Sequence, residues 1–121
     1  PTGRPAVRHQ AHLVADSTMC GIFGHLGTLP RDTALRCLHT LVHRGPDGWG
    51  LWQDDGVTLG QRRLAILDLS ENGKQPMSYA DGRYWITFNG EIYNFLEVSA
   101  ELEELGHRFR SESDTEVILA A

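Results

Sequence analysis

The sequence predicts an α+β fold, and three observations carry that prediction. Short apolar runs of strand length are bounded by glycines, and longer stretches place apolar residues every three or four positions, as a helix with one buried stripe does. Glycine, proline and asparagine pairs separate these segments as turn signals. With 121 residues, 40% hydrophobic and 22% charged, the chain has the composition of one globular domain or a piece of one.

The first half of the chain predicts a strand, a helix and a hairpin. Residues 20–26 form a short apolar run whose glycines allow close approach of another backbone. Residues 31–42 carry one apolar stripe and predict a helix. Two short strands follow over 50–53 and 57–61, and the turn Asp54-Asp55-Gly56 between them is typical of a hairpin.

Segments without regular structure alternate with strands in the middle of the chain. Residues 63–68 continue as an extended segment, and 69–83 predict mostly loop because Asn-Gly, Gln-Pro and Asp-Gly pairs interrupt them. Residues 84–89 predict a strand. Trp49, Trp52 and Trp85 are interpreted as core or packing residues.

Two further helices have marked ends. Asn94 is spaced to cap the first, with Glu97 as its capping-box partner, and Gly106 is placed to end it. Residues 107–110 predict a short strand. Ser113 and Glu116 repeat the capping-box spacing at the start of the last helix. Since this helix begins just before the sequence stops and its apolar face has no partner, we expect a domain that is truncated at its C-terminus.

Composition excludes several classes of function. The net charge of −5 provides no basic stripe for nucleic acid, and no apolar run approaches the roughly 20 residues of a membrane span. Cys20 and Cys37 are too few for a disulfide scaffold, which favours a reducing, cytoplasmic setting. Residues 1–18 differ in composition from the rest and are interpreted as a leader, a tag or an extension upstream of the true start, with the domain over 19–121.

The most informative residue is Cys20, which follows Met19. If Met19 is an initiator and is removed, the thiol and a free α-amine lie on one residue, and that amine, with a reference pKa of about 8, can act as the base for its own nucleophile. Hydrolysis of a side-chain amide also needs oxyanion donors and clamps for the substrate's carboxylate and ammonium. Asn89 and Gly90 offer the donors, and Arg63 offers a planar, two-toothed partner for a carboxylate.

Six dispersed motifs strengthen this interpretation. They are MCGIFG (19–24), RGPDG (44–48), QRRLAILD (61–68), QPM (75–77), NGEIYN (89–94) and SDTEVIL (113–119). Together, in this order, they make residues 19–121 similar to the N-terminal glutaminase domain of class II glutamine amidotransferases. Within the class, RGPD and NGEIYN resemble the glutamine-hydrolysing asparagine synthetases most closely.

The resemblance implies a role for each matching residue. Cys20 would attack the carboxamide of glutamine, and Asn89 and Gly90 would form the oxyanion hole. The substrate would be held by Arg63, Ile66, Leu67, Asn89, Gly90, Glu91 and Asp114. Arg44 would order the loop beside the nucleophile, and Asp47 would shape that loop. The implied fold is the four-layer α/β/β/α sandwich of the N-terminal-nucleophile hydrolases.

The resemblance also implies partners. Ammonia would pass to a C-terminal synthetase domain that amidates aspartate with ATP and Mg²⁺, and no cofactor or metal is expected in residues 1–121 themselves. A homodimer is compatible with the sequence. Another acceptor for the ammonia stays open, as does a non-catalytic module, because residues 1–19 block the amine of Cys20 in the chain as written.

Simpler roles are available for the same residues. A lone cysteine is usually a small core residue, and Asn-Gly is a common turn signal. Asp114 could be only a first-turn acid that stabilises a helix. Arg62 beside Arg63 could be solvated or structural. His39 and His43 have the spacing of some metal ligands, but no carboxylate accompanies them.

Overall fold

The computed structural model describes residues 19–64 and 70–121 and contains a mixed α/β domain with antiparallel sheets. In chain order its strands and helices are β1 (Gly21–Leu26), α1 (Arg31–His39), β2 (Gly48–Asp54), β3 (Val57–Arg63), β4 (Met77–Tyr79), β5 (Tyr84–Ile86), α2 (Phe95–Glu104) and α3 (Asp114–Ala120), with a 3₁₀ turn over Glu71–Gly73. None of the helices in these two ranges is long and apolar enough to cross a membrane.

The larger sheet has the strand order β1-β3-β2, with both pairs antiparallel. The hairpin predicted at Asp54-Asp55-Gly56 is confirmed, since Asp54 pairs with Val57 across it. The register sets Gly21 opposite Arg62 and Gly50 opposite Gln61. Because side chains alternate between the two faces of a strand, Gln61 and Arg63 project from one face and Arg62 from the other.

Helix α1 packs on the larger sheet through Ala34 and Leu38, which are 0% and 2% exposed. The helix ends at His39 rather than at the predicted residue 42. Thr40 donates its hydroxyl to the Cys37 carbonyl at 2.7 Å, and turns replace the helix over 40–44. The Thr40 N–H also donates to the same carbonyl at 3.2 Å, so both donors of Thr40 close the end of the helix.

The smaller sheet pairs β4 with β5, with Met77 opposite Ile86. Strand β4 lies within 69–83, a segment that was predicted to be mostly loop, and this strand was not predicted. Strand β5 ends at Ile86 instead of residue 89, because the backbone N–H and carbonyl of Phe88 bond to side chains rather than to a neighbouring strand. Strand β3 ends at Arg63, and residues 65–68 of the predicted extended segment lie outside the described residues.

A pair of indoles joins the two sheets. Trp52 of β2 and Trp85 of β5 are stacked, with ring centroids 4.5 Å apart and planes 17° from parallel. Their predicted packing role is confirmed. Trp49 is 48% exposed, which excludes the core alternative for this residue.

Helix α2 begins after Asn94 without a side-chain cap hydrogen bond, so the predicted capping box with Glu97 is wrong. Its end is as predicted: Gly106 has φ +96°, which favours glycine, and donates to the Glu103 carbonyl while His107 donates to the Leu102 carbonyl. This pair of hydrogen bonds is the Schellman motif. The predicted strand over 107–110 is absent from the described structure.

Helix α3 has a side-chain cap at Ser113 but no capping box. Ser113 Oγ accepts from the Thr115 N–H at 3.2 Å, but Glu116 does not close the predicted capping box. Its carboxylate instead accepts from the N–H groups of Arg110 and Ser111. The helix packs against α2, β4 and β5, and Val117 is 4% exposed, so the expected lack of a partner for its apolar face is wrong at Val117.

Candidate active site

Cys20 lies immediately before β1, half-buried, with its thiol against the backbone just beyond β3. Its Sγ accepts from the Leu64 N–H at 3.3 Å and lies 3.6 Å from the Leu64 carbonyl oxygen. Cys20 and Cys37 are both free thiols. The β1–β3 pairing, in which Gly21 faces Arg62, therefore brings the sulfur beside the residue that follows Arg63.

The loop between α1 and β2 is hydrogen-bonded to the residue before β1 and to two residues of β3. Arg44 Nε donates to the Cys20 carbonyl at 3.3 Å, and Arg62 Nε donates to the Gly45 carbonyl at 2.9 Å. The Asp47 N–H donates to the Arg63 carbonyl at 2.9 Å. Arg44 thus contacts the backbone of the predicted nucleophile, and Arg62 has a structural contact rather than a place on Arg63's face.

Arg63 borders a cavity of about 310 Å³ on the face of β3 that also carries Gln61. Its Nη1 donates to the Ser70 carbonyl at 3.1 Å, which holds one end of the guanidinium. The cavity is lined by Asp47, Gly48, Trp49, Gln61, Arg63, Glu71, Lys74 and Gln75. A bidentate arginine in such a cavity has the chemistry to bind a carboxylate.

Asn89 and Gly90 follow Phe88, whose backbone N–H and carbonyl are both hydrogen-bonded to side chains. The Phe88 carbonyl accepts from Gln61 Nε2 at 3.1 Å, and the Phe88 N–H donates to Gln75 Oε1 at 2.6 Å. Asn89 is half-buried and Gly90 is exposed. A Cβ at Gly90 would lie 2.6 Å from the Phe88 ring, so a side chain at this position would require the ring to move.

Asp114 is 9% exposed at the start of α3, and its Oδ2 accepts from the Ile92 N–H at 2.9 Å. This bond ties α3 to the segment that carries Glu91, whose side chain is exposed. Next to Asp114, Thr115 Oγ1 accepts from Gln75 Nε2 at 3.1 Å. Asp114 is therefore both a first-turn acid and a hydrogen-bond partner of Ile92, the residue that follows the Asn89–Glu91 segment.

The structure brings the predicted residues together in two groups. Cys20 and Arg44 contact each other directly, and Arg63 lies one residue from the Leu64 backbone that holds the thiol. The second group is the segment 89–91 with Asp114, and Gln61 of β3 connects it to the first through Phe88. Ile66 and Leu67, which the resemblance implied as backbone contacts, lie outside the described residues.

Sequence reasoning missed Gln61 and Gln75, which connect these groups. Each begins a motif that the resemblance used, QRRLAILD and QPM, and that position was the available signal. Across 19–64 and 70–121, no group of three His, Cys, Asp or Glu is placed to hold a metal ion.

Comparison with known proteins gives consistent matches. A sequence model described as "Glutamine amidotransferase domain" matches residues 19–121. Asparagine synthetase [glutamine-hydrolyzing] 1 of Bacillus subtilis is 47% identical over 109 residues, covering 84% of this chain. A probable asparagine synthetase of Dictyostelium discoideum is 42% identical over 107 residues, and asparagine synthetase 1 of Arabidopsis thaliana is 41% identical over 105, covering 84% and 83% of the chain.

The chain is much shorter than these relatives. It spans 17%, 19% and 18% of the length of the Bacillus, Dictyostelium and Arabidopsis proteins respectively. The similarity therefore concerns one region of each relative.

Proposed function

The chain belongs to the glutamine amidotransferase domain family, and on that premise we propose that it is the glutaminase part of a glutamine-hydrolysing asparagine synthetase. The observation that carries the proposal is the placement of the Cys20 thiol against Leu64, next to Arg63, at the point where β1 and β3 meet. The residue proposed as the nucleophile thus contacts the residue that follows Arg63, the proposed carboxylate-binding group. The relatives named as asparagine synthetases support the assignment.

The first half-reaction forms a thioester. With Cys20 as the first residue, its α-amine takes the thiol proton, and the sulfur attacks the Cδ carbon of glutamine. The carbonyl π electrons move to oxygen, and the oxyanion accepts from the Asn89 side-chain amide and the Gly90 N–H. When the intermediate collapses, the C–N bond breaks, the nitrogen takes the proton from the ammonium of Cys20, and ammonia leaves.

The second half-reaction returns the enzyme to its starting state. The same amine removes a proton from water, and the resulting oxygen nucleophile attacks the thioester carbon. The C–S bond breaks, the thiolate regains the proton, and glutamate leaves. Overall, glutamine and water give glutamate, ammonia and the proton that the new carboxyl group releases.

Substrate binding uses opposite charges at the two ends of the amino-acid group. Arg63 binds the α-carboxylate, with the backbone of Ile66 and Leu67 beside it. Asp114 and Glu91 bind the α-ammonium, and the bond from the Ile92 N–H supports the position of Asp114. This arrangement selects a free amino acid, because both charged groups must be present.

The proposed domain is the four-layer α/β/β/α sandwich of N-terminal-nucleophile hydrolases. Its two antiparallel sheets, joined by Trp52 and Trp85, with α1 on the outer face of the larger sheet, support that architecture. The ammonia acceptor would be aspartate, activated with ATP and Mg²⁺ in a synthetase domain.

The test is ammonia release from glutamine by the full-length protein produced with Cys20 as its first residue. We expect activity in that protein and in Cys37→Ser, and loss of activity in Cys20→Ser. A diazo-ketone analogue of glutamine should alkylate Cys20 and leave Cys37 unmodified, as peptide mass spectrometry would report. No ammonia release with a confirmed Cys20 N-terminus would overturn the proposal and leave a non-catalytic module.

A further inference from the structure

We propose that Gln75 is a positioning residue that sets the oxyanion donors Asn89 and Gly90 and connects them to the substrate-binding acid Asp114. The inference rests on the proposed glutaminase activity. It assigns a role to the glutamine of the QPM motif, whose side chain reaches two segments of the candidate site without itself being one of the groups proposed to bind substrate.

Both ends of the Gln75 amide have partners. Oε1 accepts from the Phe88 N–H at 2.6 Å, and Nε2 donates to Thr115 Oγ1 at 3.1 Å. Phe88 precedes Asn89, and Thr115 follows Asp114. One planar amide therefore fixes the separation between the oxyanion segment and the start of α3.

The backbone of Phe88 depends on the hydrogen bond from Gln75, because Phe88 lies beyond the end of β5. Instead of a ladder bond it has two glutamine side chains, Gln75 on its N–H and Gln61 on its carbonyl. Gln61 is 2% exposed, so its bond is shielded from water. Oxyanion donors act only when they are aimed within a few tenths of an ångström of the developing charge, so the position of Phe88, which precedes both donors in the chain, affects catalysis.

Gln75 is itself anchored. A Cβ on Gly50 would lie 2.0 Å from the Gln75 carbonyl oxygen, so the backbone of Gln75 rests directly on β2. The side chain is thus a short arm on a fixed base. Glutamine suits this position because its amide accepts at one end and donates at the other, whereas leucine has similar bulk and does neither.

A purely structural brace would show the same hydrogen bonds, and the chain supplies a matched control. Gln53 of β2 is also half-buried, and its Nε2 donates to the Leu29 carbonyl at 3.0 Å and to Thr58 Oγ1 at 3.1 Å. Neither partner belongs to the candidate site. Gln53→Leu therefore removes the same kind of contacts without touching the oxyanion segment.

The experiment compares Gln75→Leu with Gln53→Leu in the full-length protein that begins at Cys20. We expect similar losses of urea midpoint, a fall in kcat of about 10- to 100-fold for Gln75→Leu alone, and a much smaller change in its KM for glutamine. The split between kcat and KM is the readout that a brace acting only on stability would not produce.

A second variant keeps the test decisive if Gln75→Leu does not fold. Thr115→Val preserves the shape of the side chain and removes the acceptor of Gln75 Nε2. It should lower kcat, and the double variant with Gln75→Leu, where that folds, should be no slower than Gln75→Leu alone, because both remove one connection.

The outcomes separate this inference from the proposed function. If the unsubstituted protein released no ammonia, both would be overturned. If it were active while Gln75→Leu kept kcat within about twofold, or while Gln53→Leu lost as much kcat, only the role of Gln75 would be overturned. For an unfolded Gln75→Leu, an unchanged kcat in Thr115→Val would do the same.

Discussion

At the scale of single residues, backbone groups dominate the surroundings of the candidate nucleophile. The Cys20 thiol is in contact with the amide and carbonyl of Leu64, and the Cys20 carbonyl accepts from Arg44. The proposed oxyanion donors, Asn89 and Gly90, follow Phe88, whose backbone N–H and carbonyl are both hydrogen-bonded. Exchanging a side chain at such a site should therefore alter chemistry more than it alters the fold.

Asn89→Ala tests this expectation. Removing one oxyanion donor should lower kcat for glutamine hydrolysis by about 10²- to 10³-fold while the KM for glutamine changes little, because the donor acts mainly in the transition state. Steady-state ammonia release measures both constants. Asn94→Ala is the control in the same motif, since Asn94 is exposed and should retain full activity. A rise in KM without loss of kcat would make Asn89 a ground-state binding residue instead.

At the scale of elements, the contact between β2 and the segment before β4 leaves no room for a side chain. Gly50→Ala would place a Cβ 2.0 Å from the Gln75 carbonyl oxygen, so the backbones must separate. We expect a loss of about 1–3 kcal/mol in the free energy of unfolding, or more, measured by urea titration. In Gly24→Ala the new Cβ would have its nearest contact at 4.0 Å, so that variant should change stability by less than about 0.5 kcal/mol.

Two helix starts differ in their caps, and this difference is measurable. Ser113 Oγ accepts from the Thr115 N–H, whereas Asn94 makes no side-chain cap bond. Ser113→Ala should cost about 1 kcal/mol in the free energy of unfolding, and Asn94→Ala should cost clearly less. Equal losses in urea titrations would mean that the cap bond of α3 contributes no stability.

Local signals account for the elements that the sequence predicts well. The β2–β3 hairpin and the end of α2 at Gly106 each depend on a few adjacent residues and agree with the structure. The capping box of α3 fails because the Glu116 carboxylate finds the N–H groups of Arg110 and Ser111. Strand β4 was missed because its three residues pair with β5 across a short turn, and that pairing has no periodic signal.

The candidate site divides in the same way. Cys20, Arg63, Asn89 and Asp114 could be proposed from motifs, because each motif keeps its residues adjacent. The contacts that hold those motifs together could not be predicted, because Gln61 and Gln75 reach partners 27, 13 and 40 positions away. Their pairing depends on tertiary structure.

At the scale of the whole molecule, the proposed glutaminase activity depends on which residue is at the N-terminus. With residues 1–19 attached, the nitrogen of Cys20 is an amide and cannot act as a base. A protein that begins at Pro1 should therefore release ammonia from glutamine at least about 10²-fold more slowly than one that begins at Cys20. Both forms should be checked by intact mass, and equal rates would exclude the α-amine as the base.

The stacked indoles of Trp52 and Trp85 give the protein an intrinsic optical probe. They belong to different sheets, and their π systems are in contact. Any movement that separates the sheets must also part the rings, so fluorescence emission and near-ultraviolet circular dichroism should follow such opening without an attached dye. The contact between the two sheets can thus be monitored during turnover by these optical signals.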